Sequence, residues 1–210
     1  MGRPRGSLIP FCLLLVAACS GGSSSPDTSK PSTPASDVEV PSWSLPAEPM
    51  SLAQEAGLTP DEKEYGTYHV HAHLDVFVNG HPVVIPGGVG IEITDPAVQD
   101  FGSGYGGIPK DGCEHVCISP LHTHDPDGVI HVEAPSEARF TLGQFFKELA
   151  VPLDASCVGE FCTPDVPVAV YVDGQLKSGD PADIVLRDRL EIAIAIGSPP
   201  EEIPDTFAVG

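Results

Sequence analysis

The feature that most constrains the fold is a strict alternation of polar and apolar side chains over residues 69–78, His-Val-His-Ala-His-Leu-Asp-Val-Phe-Val. A period of two residues is typical of a β-strand, because successive side chains of a strand point to opposite faces. The core-facing side should carry Val70, Ala72, Leu74, Val76 and Val78. The opposite side should carry His69, His71, His73, Asp75 and Phe77.

A tight turn follows this run at once. Asn79-Gly80 is the strongest short hairpin signal, since both residue types tolerate the positive φ that such a turn requires. It predicts a second strand over residues 81–85, paired with the first. His81 in that strand is isolated, as is His115, and both stay unassigned.

A second histidine group occupies residues 121–133, Leu-His-Thr-His-Asp-Pro-Asp-Gly-Val-Ile-His-Val-Glu. Residues 125–128 suit a type I turn, with proline in the second place and glycine in the fourth. A hairpin closed by this turn would place His122 opposite His131, and opposed residues share a face. The histidine face would carry His122, His124, His131 and Glu133.

Six histidines on two predicted strand faces form a specific pattern, because each H-x-H pair has a third histidine on its own face. Cross-strand neighbours lie about 5 Å apart, so their imidazoles can converge on one ion about 2 Å from each nitrogen. We therefore predict metal ligands among His71, His73, His122, His124 and His131. Further ligands, or partners of the ligands, would be Asp75, Asp125 and Glu133. The alternative is a metal-free histidine cluster that responds to pH or simply lies at the surface.

Two arrangements of the metal site are open. If the faces of the two hairpins meet, histidines of both form one shared site; otherwise His122, His124 and His131 form a site alone. We expect the shared site, because a lone hairpin would expose its ion and buried imidazoles gain from a common ligand. Imidazole suits copper(II) and zinc, and a chain with only Met1 and Met50 has no methionine-rich copper(I) site.

The first 50 residues predict export and lipid anchoring. Arg3 and Arg5 precede an apolar run over residues 7–18, which has the layout of a signal peptide. This run is shorter than the roughly 20 residues of a membrane-spanning helix. It ends in Val-Ala-Ala-Cys, which resembles the bacterial lipobox, so we expect cleavage after residue 18 and a lipid on Cys19.

Three regions follow from this interpretation. Residues 1–18 are the signal peptide, residues 19–50 are the lipidated cysteine and a disordered tether, and residues 51–210 are a single globular domain. Trp43 and Leu45 are the tether's only large apolar side chains before Met50, and we assign them no function. The domain would lie outside the cytoplasm, anchored to the cell membrane or the outer membrane.

The charge of the chain restricts its partners. Removal of Arg3 and Arg5 leaves 8 basic against 30 acidic residues, a net charge near −22. Such a chain repels nucleic acid and anionic headgroups, which leaves cations as its natural small partners. For most individual carboxylates, solubility is nevertheless the simpler role.

Four cysteines remain in the expected domain, and an even count in an exported chain favours two disulfides. They are Cys113, Cys117, Cys157 and Cys162. Local pairs and cross-links between the two loops are both open. The competing interpretation is a four-thiolate zinc site, although C-x3-C and C-x4-C are looser than the usual zinc knuckle.

The rest of the domain has one clear helix, which Thr141 should cap and which should run to about residue 150. Strands are predicted over residues 166–172, 184–186 and 190–196, and residues 86–112 should form an irregular loop around one strand at 89–93. These elements indicate a β-rich α+β domain whose antiparallel or mixed sheet packs on one principal helix. The element order resembles a β-grasp arrangement, and a β-sandwich is the alternative.

The two histidine motifs, followed by Phe-Thr-Leu-Gly-Gln-Phe-Phe, resemble a family of uncharacterised exported prokaryotic proteins and lipoproteins. The resemblance spans residues 65–200 and implies that the histidine sites are real, without naming a metal or a reaction. H-x-H on one strand with a third histidine on its neighbour also resembles the zinc site of α-type carbonic anhydrases. Nothing else in this shorter chain matches those enzymes.

Three functions are consistent with these patterns. The leading hypothesis is an extracytoplasmic, lipid-anchored protein that binds copper or zinc through the histidine cluster. The second is a small metalloenzyme in which three histidines hold zinc and an open position holds water, with Asp125 or Glu133 as the base. The third is a metal-free adhesion or scaffold lipoprotein stapled by disulfides.

The lipobox yields the first testable prediction. Cys19→Ala should release the protein from membranes or block its processing, because the tether has no apolar stretch able to anchor it. Membrane fractionation with immunodetection measures this, and Cys12→Ala is the matched control that should stay anchored. A processed Cys19→Ala protein that remains on the membrane would contradict the lipobox.

Overall fold

The alternating histidine run becomes the central strand of a mixed sheet in the computed structural model, which describes Gly2 and residues 39–207. Apart from Gly2, the expected signal peptide lies outside the described residues, as do Cys19 and the first part of the tether. Within the described part, no helix is long and apolar enough to cross a membrane.

The described residues form two α-helices and eleven short or medium strands. The helices are α1 (Pro49–Glu55) and α2 (Leu142–Glu148), and a 3₁₀ turn spans Pro181–Asp183. The strands are β1 (Tyr68–Val78), β2 (His81–Val83), β3 (Gln99–Asp100), β4 (Tyr105–Gly106), β5 (Leu121–His122), β6 (Val129–Ala134), β7 (Cys157–Val158), β8 (Phe161–Cys162), β9 (Val168–Val172), β10 (Gln175–Leu176) and β11 (Leu190–Ile196).

Seven of these strands form one mixed sheet in the order β10-β9-β11-β1-β6-β5, with β2 also paired to β1. Strands β1 and β11 run parallel, and the other pairs in the sheet are antiparallel. The pairs β3-β4 and β7-β8 are separate two-stranded ladders. The expected β-rich α+β class with a mixed sheet is therefore confirmed, and one large sheet argues against the β-sandwich alternative.

The predicted faces of the central strand are confirmed. Ala72, Leu74, Val76 and Val78 are almost fully buried and belong to the main hydrophobic core. The core also contains the apolar side of α2, with Leu142, Phe145, Phe146 and Leu149. Helix α2 begins as expected at Thr141, whose hydroxyl accepts from the Gln144 backbone N–H while the Gln144 side chain accepts from the Thr141 N–H.

Residues before position 51, where the globular domain was predicted to begin, already pack on this core. Trp43, which falls in the predicted tether, meets the ring of Phe146 edge to face at a centroid distance of 5.9 Å, and Leu45 also packs against the core. Helix α1, which was not predicted, begins at Pro49 and buries Ala53. Seven residues make too few turns for a periodic pattern to be visible in the sequence.

Some predicted strands are wrong. Residues 184–186 follow the 3₁₀ turn and make only a single bridge, between Val185 and Thr141. Residues 89–93 likewise make one bridge, between Ile91 and Ile118, and the loop instead contains the unpredicted ladder of β3 and β4. The Asn79-Gly80 hairpin is confirmed, with positive φ at both residues, but β2 ends at Val83.

Both disulfides are local. Cys113 bonds to Cys117 and Cys157 bonds to Cys162, so the four-thiolate zinc site is excluded. The first disulfide belongs to a small second core with Ile91 and Ile118, formed within the long segment between β2 and β5. The second lies across the β7-β8 hairpin, whose register pairs its two cysteines directly.

A buried carboxyl on α2 yields a stability prediction. Glu148 is fully buried, and desolvation raises the pKa of its carboxyl well above the usual value, an effect that Ser119 only partly opposes. Because the folded-state pKa exceeds the unfolded one, the wild type loses stability as pH rises between the two. Glu148→Gln removes this loss, so the variant's free energy of unfolding should rise relative to that of the wild type as the pH increases from about 4, the ordinary pKa of a glutamate, toward the raised folded-state pKa.

Chemical denaturation at several pH values measures the difference. Glu137→Gln, at an exposed glutamate, is the control and should show no such trend. A difference between Glu148→Gln and wild type that is the same at every pH would contradict a buried, neutral Glu148.

Candidate metal centre

The register of three neighbouring strands brings the histidines together. Strand β6 lies between β1 and β5, and His131 of β6 pairs with His71 on one side and with His122 on the other. The predicted pairing of His122 with His131 is thus confirmed. Residues directly opposed in a sheet share a face, so these three imidazoles form a row across the sheet.

Two more histidines join the row. His69 lies two residues before His71 on the same face of β1, and His124 follows β5. The ring of His131 contacts those of His71 and His124 at centroid distances of 4.4 Å each. The structure therefore places His69, His71, His122, His124 and His131 in one cluster, which we call the five-histidine cluster.

One end of the cluster is a compact triangle of ring nitrogens. Nε2 of His69 lies 3.0 Å from Nε2 of His71 and 3.4 Å from Nδ1 of His131, and the third edge measures 3.2 Å. Ligands of a tetrahedral zinc ion, with bonds of about 2.0–2.1 Å, lie about 3.3–3.4 Å apart. The triangle thus already has the dimensions of the ligand set of one transition-metal ion.

The other end holds its imidazoles in the correct tautomer for a metal. Nδ1 of His122 lies 2.9 Å from the carbonyl oxygen of Ser119, and Nδ1 of His124 lies 2.6 Å from that of Tyr105. A carbonyl only accepts, so Nδ1 is the protonated nitrogen in both rings and Nε2 is left for another partner. A backbone carbonyl that holds the second nitrogen is typical of metal-binding histidines.

The Nε2 atom of His122 is buried and has no hydrogen-bond partner. Burial is the main reason that the pKa of His122 lies well below its usual value, and the neighbouring His124 and His131 lower it further. The ring is therefore neutral and directs an unused lone pair into the cluster. The ring of His71 is also kept neutral, because burial and the nearby His131 and His69 lower its pKa.

Two carboxylates flank the cluster. Oε1 of Glu133 lies 3.1 Å from Nε2 of His69 and 3.8 Å from Nδ1 of His131, and its Oε2 accepts from the backbone N–H of Tyr65. Burial alone would raise the pKa of Glu133, but the contacts with His131, His69 and Tyr65 together lower it. Glu133 is therefore ionised beside the triangle, where a fourth ligand would lie.

Glu64 is the second flanking carboxylate, and sequence reasoning missed it. Its Oε1 lies 3.8 Å from Nε2 of His124 and is buried without a hydrogen bond. Burial and the nearby Glu133 raise its pKa, and the histidines oppose that rise. Nothing in the sequence marks Glu64, whereas the missed ligand His69 is visible in the alternation of β1.

His73 does not belong to the five-histidine cluster, although it was expected there. Its Nδ1 lies 3.0 Å from Oε2 of Glu191, and its Nε2 lies 2.8 Å from the carbonyl oxygen of Asp127. The hydrogen bond with Glu191 is the largest cause that raises the pKa of His73, to about 9. At neutral pH both nitrogens are protonated and donate, so neither has a lone pair for a metal.

The remaining candidates lie apart from the five histidines. Asp75 is 3.7 Å from His73 and belongs to the group of that residue and Glu191. Asp125 is exposed and accepts from the hydroxyl of Ser103 at 3.2 Å. His81 and His115, which were left unassigned, are exposed and lie in none of the candidate metal-binding groups of the described residues.

A cavity of about 360 Å³ reaches the cluster at His122. The carboxylates Glu64 and Glu133 also line it, as do the cationic side chains of Lys63 and Arg139. The triangle end of the cluster faces solvent instead, since the side chain of His69 is 36% exposed. The two ends of the cluster therefore have different surroundings.

Comparisons of the chain with protein-family models, with curated proteins and with solved structures find no match. The resemblance to exported prokaryotic lipoproteins therefore stays a prediction, and the argument for function depends on the geometry of the cluster.

Proposed function

We propose that this protein is an extracytoplasmic, lipid-anchored protein that binds a transition metal through the five-histidine cluster. The observation that carries this proposal is the Nε2 atom of His122, which is buried, unprotonated and without a partner. An unsatisfied buried acceptor costs about 1–3 kcal/mol, and a metal ion is the partner that would satisfy it.

The ligand chemistry favours copper(II) or zinc. Neutral imidazole binds both ions well, and the carboxylates Glu64 and Glu133 supply compensating charge at the cluster. The formal charge of the whole chain, −20, also attracts cations. The sequence contains only two methionines, Met1 and Met50, which argues against a copper(I) site of the thioether type.

The proposed location depends on the amino-terminal sequence and on the disulfides. The lipobox ending at Cys19 supports lipid anchoring. Two disulfides, at Cys113–Cys117 and Cys157–Cys162, support an oxidising compartment, because such bonds are rare in the reducing cytosol.

Metal binding is tested on the metal-depleted, full-length protein by calorimetry with copper(II) and with zinc. His131→Ala should weaken binding by roughly tenfold or more, because His131 belongs to both histidine groups of the cluster. His81→Ala is the matched control and should bind like wild type. Equal binding by wild type and His131→Ala would place the metal elsewhere, and no binding by wild type would refute the proposal.

The cavity favours a second candidate function, a small metalloenzyme. A metal ion on His122 would lie at the wall of a 360 Å³ space large enough for water and a small substrate. There Glu64 could act as a general base toward a metal-bound water, whose pKa a zinc ion lowers to about 7. A protein that stores or delivers the metal would instead bind it through protein ligands alone.

An exogenous anion distinguishes these two functions. If the metal at His122 has an open position, azide should bind to cobalt(II)-substituted protein and change its visible absorption spectrum. His122→Ala should abolish the change, and His81→Ala should preserve it. A wild-type spectrum that azide leaves unaltered would indicate full protein ligation and would argue against the enzyme.

A further inference from the structure

The five-histidine cluster contains two ligand groups that share one residue. His69, His71 and His131 form one group, and His122, His124 and His131 form the other. In each group the candidate ligand atoms lie within 4.8 Å of one another. His131 is thus a member of both groups. Because each ring nitrogen can bind only one metal ion, His131 can serve both groups only through its two different nitrogens.

Strands β1 and β5 flank β6, so the pair His69 and His71 lies on one side of His131 and the pair His122 and His124 lies on the other. Its Nδ1 lies 3.2 Å from His71 and 3.4 Å from His69, which assigns that nitrogen to the first group. Its ring also contacts the rings of His122 and His124, at 5.2 and 4.4 Å between centroids. Among the described residues, no ring contact joins His69 or His71 to His122 or His124, so the two pairs do not merge into one ligand set.

From this geometry we infer that the cluster is a binuclear centre in which His131 bridges two metal ions. Nδ1 binds the ion held by His69 and His71, and Nε2 binds the ion held by His122 and His124. The inference rests on the proposed metal-binding function and adds the number of ions and the bridge. The ions would lie about 6 Å apart, since each metal–nitrogen bond is about 2 Å long.

Bridging requires a change of protonation at His131. A neutral imidazole has one lone pair and one N–H bond, so the first ion takes the lone pair. The second ion binds only after the N–H bond breaks; its electron pair stays on nitrogen and forms the new metal bond, and the proton goes to solvent. Binding of the second ion should therefore release one proton from His131.

The surroundings indicate that the two ions would differ in their ligands and in their access to small molecules. Glu133 Oε1, 3.1 Å from Nε2 of His69, is placed to complete four ligands around the first ion. Near the second, Glu64 Oε1 is 3.8 Å from Nε2 of His124, and the cavity adjoins His122. The first ion would then be closed by protein ligands, and the second would be the one open to a small molecule.

The test is a copper(II) titration of metal-depleted, full-length protein, followed by elemental analysis and by electron paramagnetic resonance. We expect two ions per chain, and the resonance signal should weaken as the second ion binds, because a bridging imidazolate couples the two spins. The double variants His69→Ala/His71→Ala and His122→Ala/His124→Ala should each bind one ion with an undiminished signal. His81→Ala should reproduce the wild type.

Each other outcome overturns a defined part of the inference. One ion per wild-type chain would overturn the binuclear centre and leave the proposed function standing. Two ions with the summed signal of independent copper centres would overturn the bridge. No bound copper or zinc would refute the proposed function itself. Circular dichroism of the double variants verifies that they are folded, and the wild-type stoichiometry and signal decide the inference even if a variant is not.

Discussion

The pairing of β6 between β1 and β5 is the interaction on which the rest of the candidate centre depends. It places His71, His131 and His122 side by side, while Ile130 and Val132 of β6 face the core. A slip of one residue would turn the histidines of β6 inward and its apolar side chains outward. The burial of the apolar face therefore fixes the position of the ligands, and no metal is needed to select the register.

Alignment on one face does not by itself orient the imidazoles, and segments outside the sheet complete this task. The carbonyl of Tyr105 holds His124, and it comes from the glycine-rich segment between β2 and β5. This segment can approach so closely because Gly106 has no side chain; a Cβ there would lie 2.9 Å from Nδ1 of His124. The Nε2 atom of His122 then remains buried without a partner, at a cost of about 1–3 kcal/mol.

Local patterns predicted much of this arrangement. The alternation of β1, the Asn79-Gly80 turn, the pairing of His122 with His131 and the Thr141 cap all depend on neighbours in sequence, and all are present in the structure. The errors come from contacts between distant segments. Parallel pairing of β11 with β1 places Glu191 beside His73 and makes that histidine an ion-pair partner, which no local pattern reveals.

The difference between local patterns and distant contacts also explains what was missed at the start of the domain and around the site. Trp43 lies in a segment whose composition is typical of a disordered tether, yet its ring contact with Phe146 and the packing of Leu45 attach this segment to the core. His69 was visible on the histidine face, but only the triangle of nitrogens shows that it belongs with His71 rather than standing free at the strand end. Glu64 lies in irregular chain before β1, where sequence sets no direction for a side chain.

Electrostatics decide whether two ions can occupy so small a centre. Two dications about 6 Å apart repel by roughly 11 kcal/mol at an effective dielectric constant of about 20. One negative charge midway, about 3 Å from each ion, attracts the pair by roughly 22 kcal/mol under the same conditions. In the proposed centre, an imidazolate at His131 supplies that charge, and the carboxylates of Glu133 and Glu64 reduce the total further. With a neutral His131, only the flanking carboxylates would offset the repulsion, and no negative charge would lie between the ions, so double occupancy favours the bridge.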